Sequence, residues 1–141
     1  MSVFETLSKL RSKAVTSFTL ASSKTDNKTD KQKKGQAGED DALTYLTANG
    51  LTLIERNFRC KGGEIDLIMQ EHGALVFVEV RKRANMDHGG AAASVTGAKQ
   101  RRLIIAAQVF LQRYKMPPAC RFDVIAIDDD VMTWLKNAIE A

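Results

Sequence analysis

Apolar residues recur along the chain at two spacings, one typical of helices and the other of strands. Residues 98–114 show the strongest helical pattern, with an apolar face of Leu103, Ala106, Ala107, Phe110 and Leu111. Residues 35–50 carry a second helical stripe, formed by Ala42, Leu43, Tyr45 and Leu46, and Gly50 predicts its end. Strands are predicted at residues 51–59, 64–70, 74–83 and 121–127.

The order of these elements indicates the fold class. The folded part begins with a helix, continues through three strands to the second helix, and ends in one or two strands. A short helix is expected at the C-terminus, after residues 131–135. This order predicts an α/β domain over residues 35–141, with a mixed central sheet flanked by helices.

Charge divides the chain into two parts. Of the 141 residues, the first 34 hold eight basic and three acidic residues, whereas residues 35–141 hold 13 basic and 14 acidic ones. The net charge of +4 therefore comes from a basic, largely flexible tail, whose first 20 residues have the apolar spacing of an amphipathic helix. Such a tail suits contact with nucleic acid, contact with an anionic membrane surface, or no partner at all.

Composition excludes several classes of protein. No apolar run approaches the ~20 residues that a membrane-spanning helix needs. Two cysteines and two histidines, at positions 60, 120, 72 and 88, are too few for a disulfide framework or a four-ligand zinc site. We therefore expect a protein of the reducing cytoplasm.

Two acidic residues are brought together by the predicted hairpin between the second and third strands. If residues 72–73 form its turn, counting outward places Asp66 opposite Glu79 and Glu64 opposite Arg81. Strand alternation places these four side chains on one face. Directly opposed like charges are destabilising, so something must offset the repulsion between Asp66 and Glu79.

A divalent cation, Mg²⁺ or Mn²⁺, would offset that repulsion. Mg²⁺ is usually held by one or two carboxylates, waters and substrate phosphates, and Glu39, near the start of the first helix, offers a third carboxylate. Such an ion polarises a phosphodiester and orients the attacking water. The basic residues that suit a nucleic-acid backbone are Arg59, Lys61, Arg81, Arg83, Lys99, Arg101 and Arg102.

The same residues also have structural explanations. Arg81 and Arg83 are able to neutralise Glu64 and Glu79 as ion pairs, and acidic residues on strands are commonly solvated. The basic residues at the start of the second helix equally suit an exposed helix face. Asp123, between two apolar residues, is interpreted as structural, either capping or pairing with Arg121 or with a neighbouring strand.

Five motifs, in order and at comparable spacing, resemble the YraN family of uncharacterised bacterial proteins. They are GEIDLIM, VFVEVRKR, GGAAASVT, KQRRL and RFDVIAI, and the resemblance runs from Gly35 to the C-terminus. It implies the restriction-endonuclease-like fold, akin to archaeal Holliday-junction resolvases, whose signature is Asp, a gap, an acidic residue, any residue and Lys. Matched by position, Asp66 is the aspartate, Glu79 the second acid and Glu39 the helix glutamate, while Arg81 occupies the lysine position.

The resemblance implies a Mg²⁺- or Mn²⁺-dependent nuclease, with branched or junction DNA, rather than RNA, as its partner. Arg81 departs from the signature, because a guanidinium stays charged and cannot take the base-like role open to lysine. It is still able to orient water or to stabilise charge on the phosphate. The alternative is a nucleic-acid-binding protein that keeps the nuclease fold without catalysis. The oligomeric state stays open, and a homodimer is compatible with the sequence.

Overall fold

The computed structural model describes residues 15–17, 30–83 and 95–139, with the side chains of residues 36–82 and 95–139. Its helices are α1 (Asp30–Ala48) and α2 (Gly97–Leu111). Its strands are β1 (Val15–Ser17), β2 (Thr52–Cys60), β3 (Gly63–Glu71), β4 (Ala74–Arg83), β5 (Cys120–Asp128) and β6 (Val131–Ile139).

The strands form one sheet in the order β1-β6-β5-β4-β3-β2. β4 and β5 are parallel, and the other neighbouring pairs are antiparallel. Parallel neighbours cannot be joined by a tight turn, and α2 lies in the connection between β4 and β5. The predicted α/β class, with a mixed sheet flanked by helices, is therefore confirmed.

Two apolar clusters lie on opposite faces of the sheet, one under each helix. The α2 face includes Phe77 and Phe110, and the α1 face includes Leu46 and Val78. Because successive strand residues point to opposite faces, neighbouring residues of β4 contribute to different clusters. Within the predicted apolar face of α2, Leu103, Ala106, Ala107 and Phe110 are buried, and Leu111 is half-buried.

The N-terminal part of the chain differs from the prediction at two points. α1 begins at Asp30 rather than at residue 35, because lysine and glutamine are good helix formers even where no apolar stripe marks them. Val15–Ser17, placed by its apolar spacing in an amphipathic helix, instead pairs with β6 as a strand. The rest of the predicted tail, residues 1–14 and 18–29, lies outside the described residues. Over the described ranges, neither helix has the length and apolarity to cross a membrane.

The predicted C-terminal helix is wrong, because residues 131–139 form β6. Buried Leu135, Ala138 and Ile139 follow a helical spacing, which made the segment resemble a helix. The spacing arises from an irregularity in the pairing with β5, which shifts register between Phe122 and Val124. Asn137, in the irregular stretch, has a φ of +51°. The strand therefore continues in the same direction, but the side chains beyond this point change the face of the sheet to which they belong.

Candidate active site

Asp66 lies where β3 separates from β4. The ladder between the two strands follows the register expected from the turn and ends at Leu67 and Val78. Beyond that pair, the carboxylate of Asp66 accepts a hydrogen bond from the backbone N–H of Val80 at 2.8 Å. The side chain therefore takes the place of a backbone partner in the gap between the two strands.

Glu79 meets Asp66 in this gap, as the sequence predicts. The two carboxyl groups are hydrogen-bonded to each other. Burial raises the pKa of both groups, and the nearby charge of Asp66 helps to raise the pKa of Glu79 to about 8. A shared proton thus holds together two carboxyl groups that would otherwise repel each other.

Glu39 approaches the pair from α1. Burial, followed by the charge of Asp66, raises the pKa of Glu39 to about 7, whereas Arg56 and a hydrogen bond from Asn57 act in the opposite direction. The guanidinium of Arg56 lies 3.8 Å from the Glu39 carboxylate and 2.6 Å from that of Asp40. The charge of Asp66 thus acts on Glu39, and the role of Glu39 as a metal ligand stays a prediction.

Cationic side chains lie near Glu79 as well. Arg81, two residues along β4, places its guanidinium 3.7 Å from the Glu79 carboxylate. Lys99, half-buried in the first turn of α2, is near enough to Glu79 to lower its pKa. A lysine in the first helical turn opposes the helix dipole, so its proximity to an acidic residue offsets an unfavourable position.

Glu64 does not take the place that counting gives it. The ladder with β4 has ended before this residue, so the predicted pairing with Arg81 is wrong. Glu64 instead lies opposite Arg59 on β2, at 3.9 Å, and 3.7 Å from Arg102 on α2. The predicted common face is also lost, because Ile65 and Ile68 both pack beneath α2 and the alternation of β3 slips near Asp66.

The remaining predicted nucleic-acid contacts whose side chains are described are surface residues. Arg59, Lys61, Arg101 and Arg102 are exposed, and two of them pair with Glu64. Arg83 ends β4, and its side chain lies outside the described residues. Exposure and charge suit these residues to phosphate contact, and their role stays a prediction.

Sequence reasoning missed Arg56 and Asn57, which adjoin the site from β2. Asn57 has a φ of +52°, a left-handed conformation uncommon in residues other than glycine, and its side chain bonds Glu39. Asn57 and Asp66 are both absent from the ladder between β2 and β3, although their neighbours pair. The signal available in the sequence was the polar pair Arg56-Asn57, which interrupts the otherwise β-compatible run of residues 51–59.

The carboxyl groups fit a divalent cation in part. Buried oxygen ligands with a mutual repulsion suit Mg²⁺ or Mn²⁺, which needs only one or two protein carboxylates. Among the residues that the structure describes, no three Asp, Glu, His or Cys side chains are already arranged as a metal cage. Asp66 and Glu79 therefore match a two-carboxylate site, with Glu39 as a neighbouring charge.

Another buried carboxylate, that of Asp123, belongs to the framework. It is fully buried and accepts hydrogen bonds from Arg121 at 3.1 Å, from the Trp134 indole at 2.9 Å and from the Asn137 backbone at 2.9 Å. The predicted pairing with Arg121 is confirmed. Each of these bonds uses acceptor capacity of the carboxylate, which is the arrangement of a structural residue.

Comparison with known sequences finds a family and close relatives. The sequence profile of the uncharacterised protein family UPF0102 matches residues 38–127. A UPF0102 protein of Herminiimonas arsenicoxydans is 73% identical over 114 residues, covering 81% of this chain and 92% of the relative. One of Janthinobacterium sp. (strain Marseille) is 72% identical over 114 residues, covering 81% and 93% of the two chains. One of Ralstonia pickettii is 62% identical over 109 residues, covering 74% and 87%.

Proposed function

The chain belongs to the uncharacterised protein family UPF0102, and we propose that it is a divalent-cation-dependent phosphodiesterase of the bacterial cytoplasm that acts on DNA. The observation that carries the proposal is the buried, hydrogen-bonded pair of Asp66 and Glu79, with Arg81 beside it. Two buried carboxylates side by side destabilise the fold when both are charged, and a bound ligand of positive charge relieves that repulsion. A divalent cation, together with the phosphodiester it binds, is such a ligand.

Each residue of the site has a distinct part in this proposal. Asp66 and Glu79 hold the ion, which supplies polarisation of the phosphodiester and orientation of water when bound. Arg81 contacts the scissile phosphate, because its guanidinium lies next to Glu79 and offers planar N–H donors that match phosphate oxygens. Lys99 adds a second cation on the α2 side of Glu79.

The substrate follows from the surroundings of the site. The exposed basic residues Arg59, Lys61, Arg101 and Arg102 suit a polyanion. The resemblance to the YraN family, which implies the restriction-endonuclease-like fold, favours DNA that is branched or otherwise structured.

The test is cleavage of labelled duplex, single-stranded and four-way-junction DNA in Mg²⁺, in Mn²⁺ and with chelator. We expect cation-dependent products that disappear when Asp66 and Glu79 are both replaced by Ala. Glu55→Gln, an acidic residue of β2 paired with Arg113, serves as the matched control and should cleave like the wild type. Cleavage that survives the double replacement, or needs no cation, refutes the proposal.

A second candidate is a nucleic-acid-binding protein without catalysis, and the observation that favours it is Arg81 in the lysine position. In that case Arg81→Lys gains cleavage that the wild type lacks. Equal cleavage by both proteins refutes this candidate. Binding without turnover should still weaken steeply with added salt, because phosphate contacts release counterions.

A further inference from the structure

Arg56 forms ion pairs with two acidic residues of α1, Glu39 and Asp40. It lies on β2 opposite Leu67, and its guanidinium is 2.6 Å from Asp40 and 3.8 Å from Glu39. Three-quarters of its side chain is buried, with 27% exposed. Its guanidinium therefore places a positive charge on the α1 side of the carboxyl groups.

Glu39 is held on that side by two groups of β2. Arg56 attracts its carboxylate, and the Asn57 side chain donates a hydrogen bond to it. Asn57 does so from a left-handed backbone conformation, which is retained only where the surroundings favour it. The Glu39 carboxylate is therefore already engaged by two groups of β2.

We propose that Arg56 takes the place of a second divalent cation, so that the site binds a single ion through Asp66 and Glu79, and Glu39 is not a direct ligand. The inference rests on the proposed cation site but not on DNA cleavage. Paired divalent cations in two-metal sites lie about 3.5–4 Å apart and share carboxylates. A second ion at Glu39 would meet the guanidinium at a comparable distance and would be repelled by it.

The geometry also gives Glu39 a different part. As a carboxylate held between Arg56 and Asn57, it acts as a positioning residue whose negative charge lies near Asp66. Its removal should change the field at the bound ion without removing a ligand. Replacement of Asp66, by contrast, removes one of the two proposed ligands.

The experiment counts Mn²⁺ ions bound to the full chain at pH 8 by electron paramagnetic resonance of free Mn²⁺, without DNA. The wild type should bind one ion. Glu39→Gln should keep one ion with Kd changed by less than about threefold, whereas Asp66→Asn should raise Kd by at least about tenfold. Arg56→Gln should lower Kd or admit a second ion, because the resident positive charge is gone.

Matched variants separate these effects from misfolding and from general electrostatics. Arg113→Gln removes the same charge from an arginine that pairs with Glu55, and it should leave the Mn²⁺ count and Kd unchanged. Arg56→Lys keeps the charge and should keep a single ion. Thermal melting of each variant shows whether it is folded, and Glu39→Gln decides the question even if Arg56→Gln unfolds.

Three results would overturn the inference: two ions on the wild type, no bound Mn²⁺ at all, or a loss on Glu39→Gln as large as that on Asp66→Asn. A wild type that binds one Mn²⁺ but cleaves no DNA supports the inference and refutes the proposed function. The two claims can therefore fail separately.

Discussion

Replacing Glu79 by Gln is expected to stabilise the protein at alkaline pH although it removes a residue of the proposed active site. The pKa of Glu79 is raised from 4.5 to about 8, so between these values the folded protein holds a proton that the unfolded chain has released. The stability linked to Glu79 is therefore fully present below about pH 4.5 and is lost as the pH rises through about 8.

The magnitude follows from this interval. At about 1.4 kcal/mol per pKa unit, the raised pKa of Glu79 corresponds to at most about 5 kcal/mol of stability lost between acidic and alkaline pH. The carboxyl is 13% exposed, so solvent relieves only part of the cost. Gln is neutral at every pH and donates to Asp66 as the protonated acid does, so Glu79→Gln should gain about 2 kcal/mol or more at pH 9. At pH 5 the two proteins should differ by less than about 1 kcal/mol.

The assay is thermal melting and urea unfolding of both proteins from pH 5 to pH 9. A gain of about 2 kcal/mol raises the melting temperature by roughly 8 °C in a domain of this size. Glu64→Gln, which removes an exposed carboxylate from β3, is the control and should follow the wild type at each pH. Addition of Mg²⁺ at pH 9 should raise the melting temperature of the wild type but not that of Glu79→Gln. A variant that is destabilised equally at pH 5 and pH 9 would show that Glu79 carries no raised pKa.

Two substitutions test the framework around the site. Asp123→Ala should lower the free energy of unfolding by about 3–5 kcal/mol in urea titrations, because Arg121 loses its buried partner, and an unchanged stability would contradict the structural role of Asp123. Gly63→Ala should cost at least about 2 kcal/mol, because its Cβ would overlap the Arg102 carbonyl oxygen. Gly97→Ala is the control and should change stability by less than about 1 kcal/mol, because its Cβ would meet only the flexible end of a side chain, at 3.5 Å.

The pairing of Asp66 with Glu79 was predictable because it depends on a local turn. His72 and Gly73 both have positive φ, at +50° and +81°, as a two-residue hairpin turn requires. Such a turn fixes the register of both strands, and the register held as far as Leu67. Counting from the turn was therefore sufficient to bring two acids together.

The α1 side of the site was not predictable in the same way. Glu39, Arg56 and Asn57 are distant in sequence from the hairpin, and their contacts depend on how α1 packs across β2. No local pattern reports that packing, since the polar residues of a helix look alike whether they face solvent or a site. The C-terminal helix was predicted wrongly for a related reason. The irregular pairing of β6 with β5, which changes the alternation of side chains between the two faces of the sheet, exists only in the folded protein.

Asp66 and Asp123, two aspartates that accept backbone hydrogen bonds, differ in a way that supports a functional role for the first and a structural role for the second. Asp66 and Asp123 each accept a backbone N–H where a strand pairing is interrupted, at 2.8 Å and 2.9 Å. Asp123 completes its contacts with a guanidinium and an indole, which satisfy a carboxylate without any ligand. Asp66 instead contacts the carboxyl group of Glu79, and the two groups form a hydrogen bond only while a proton lies between them. A fold selected for stability alone would give Asp66 the partners that Asp123 has. The contact between Asp66 and Glu79 is therefore one that a bound cation would stabilise more than a shared proton does.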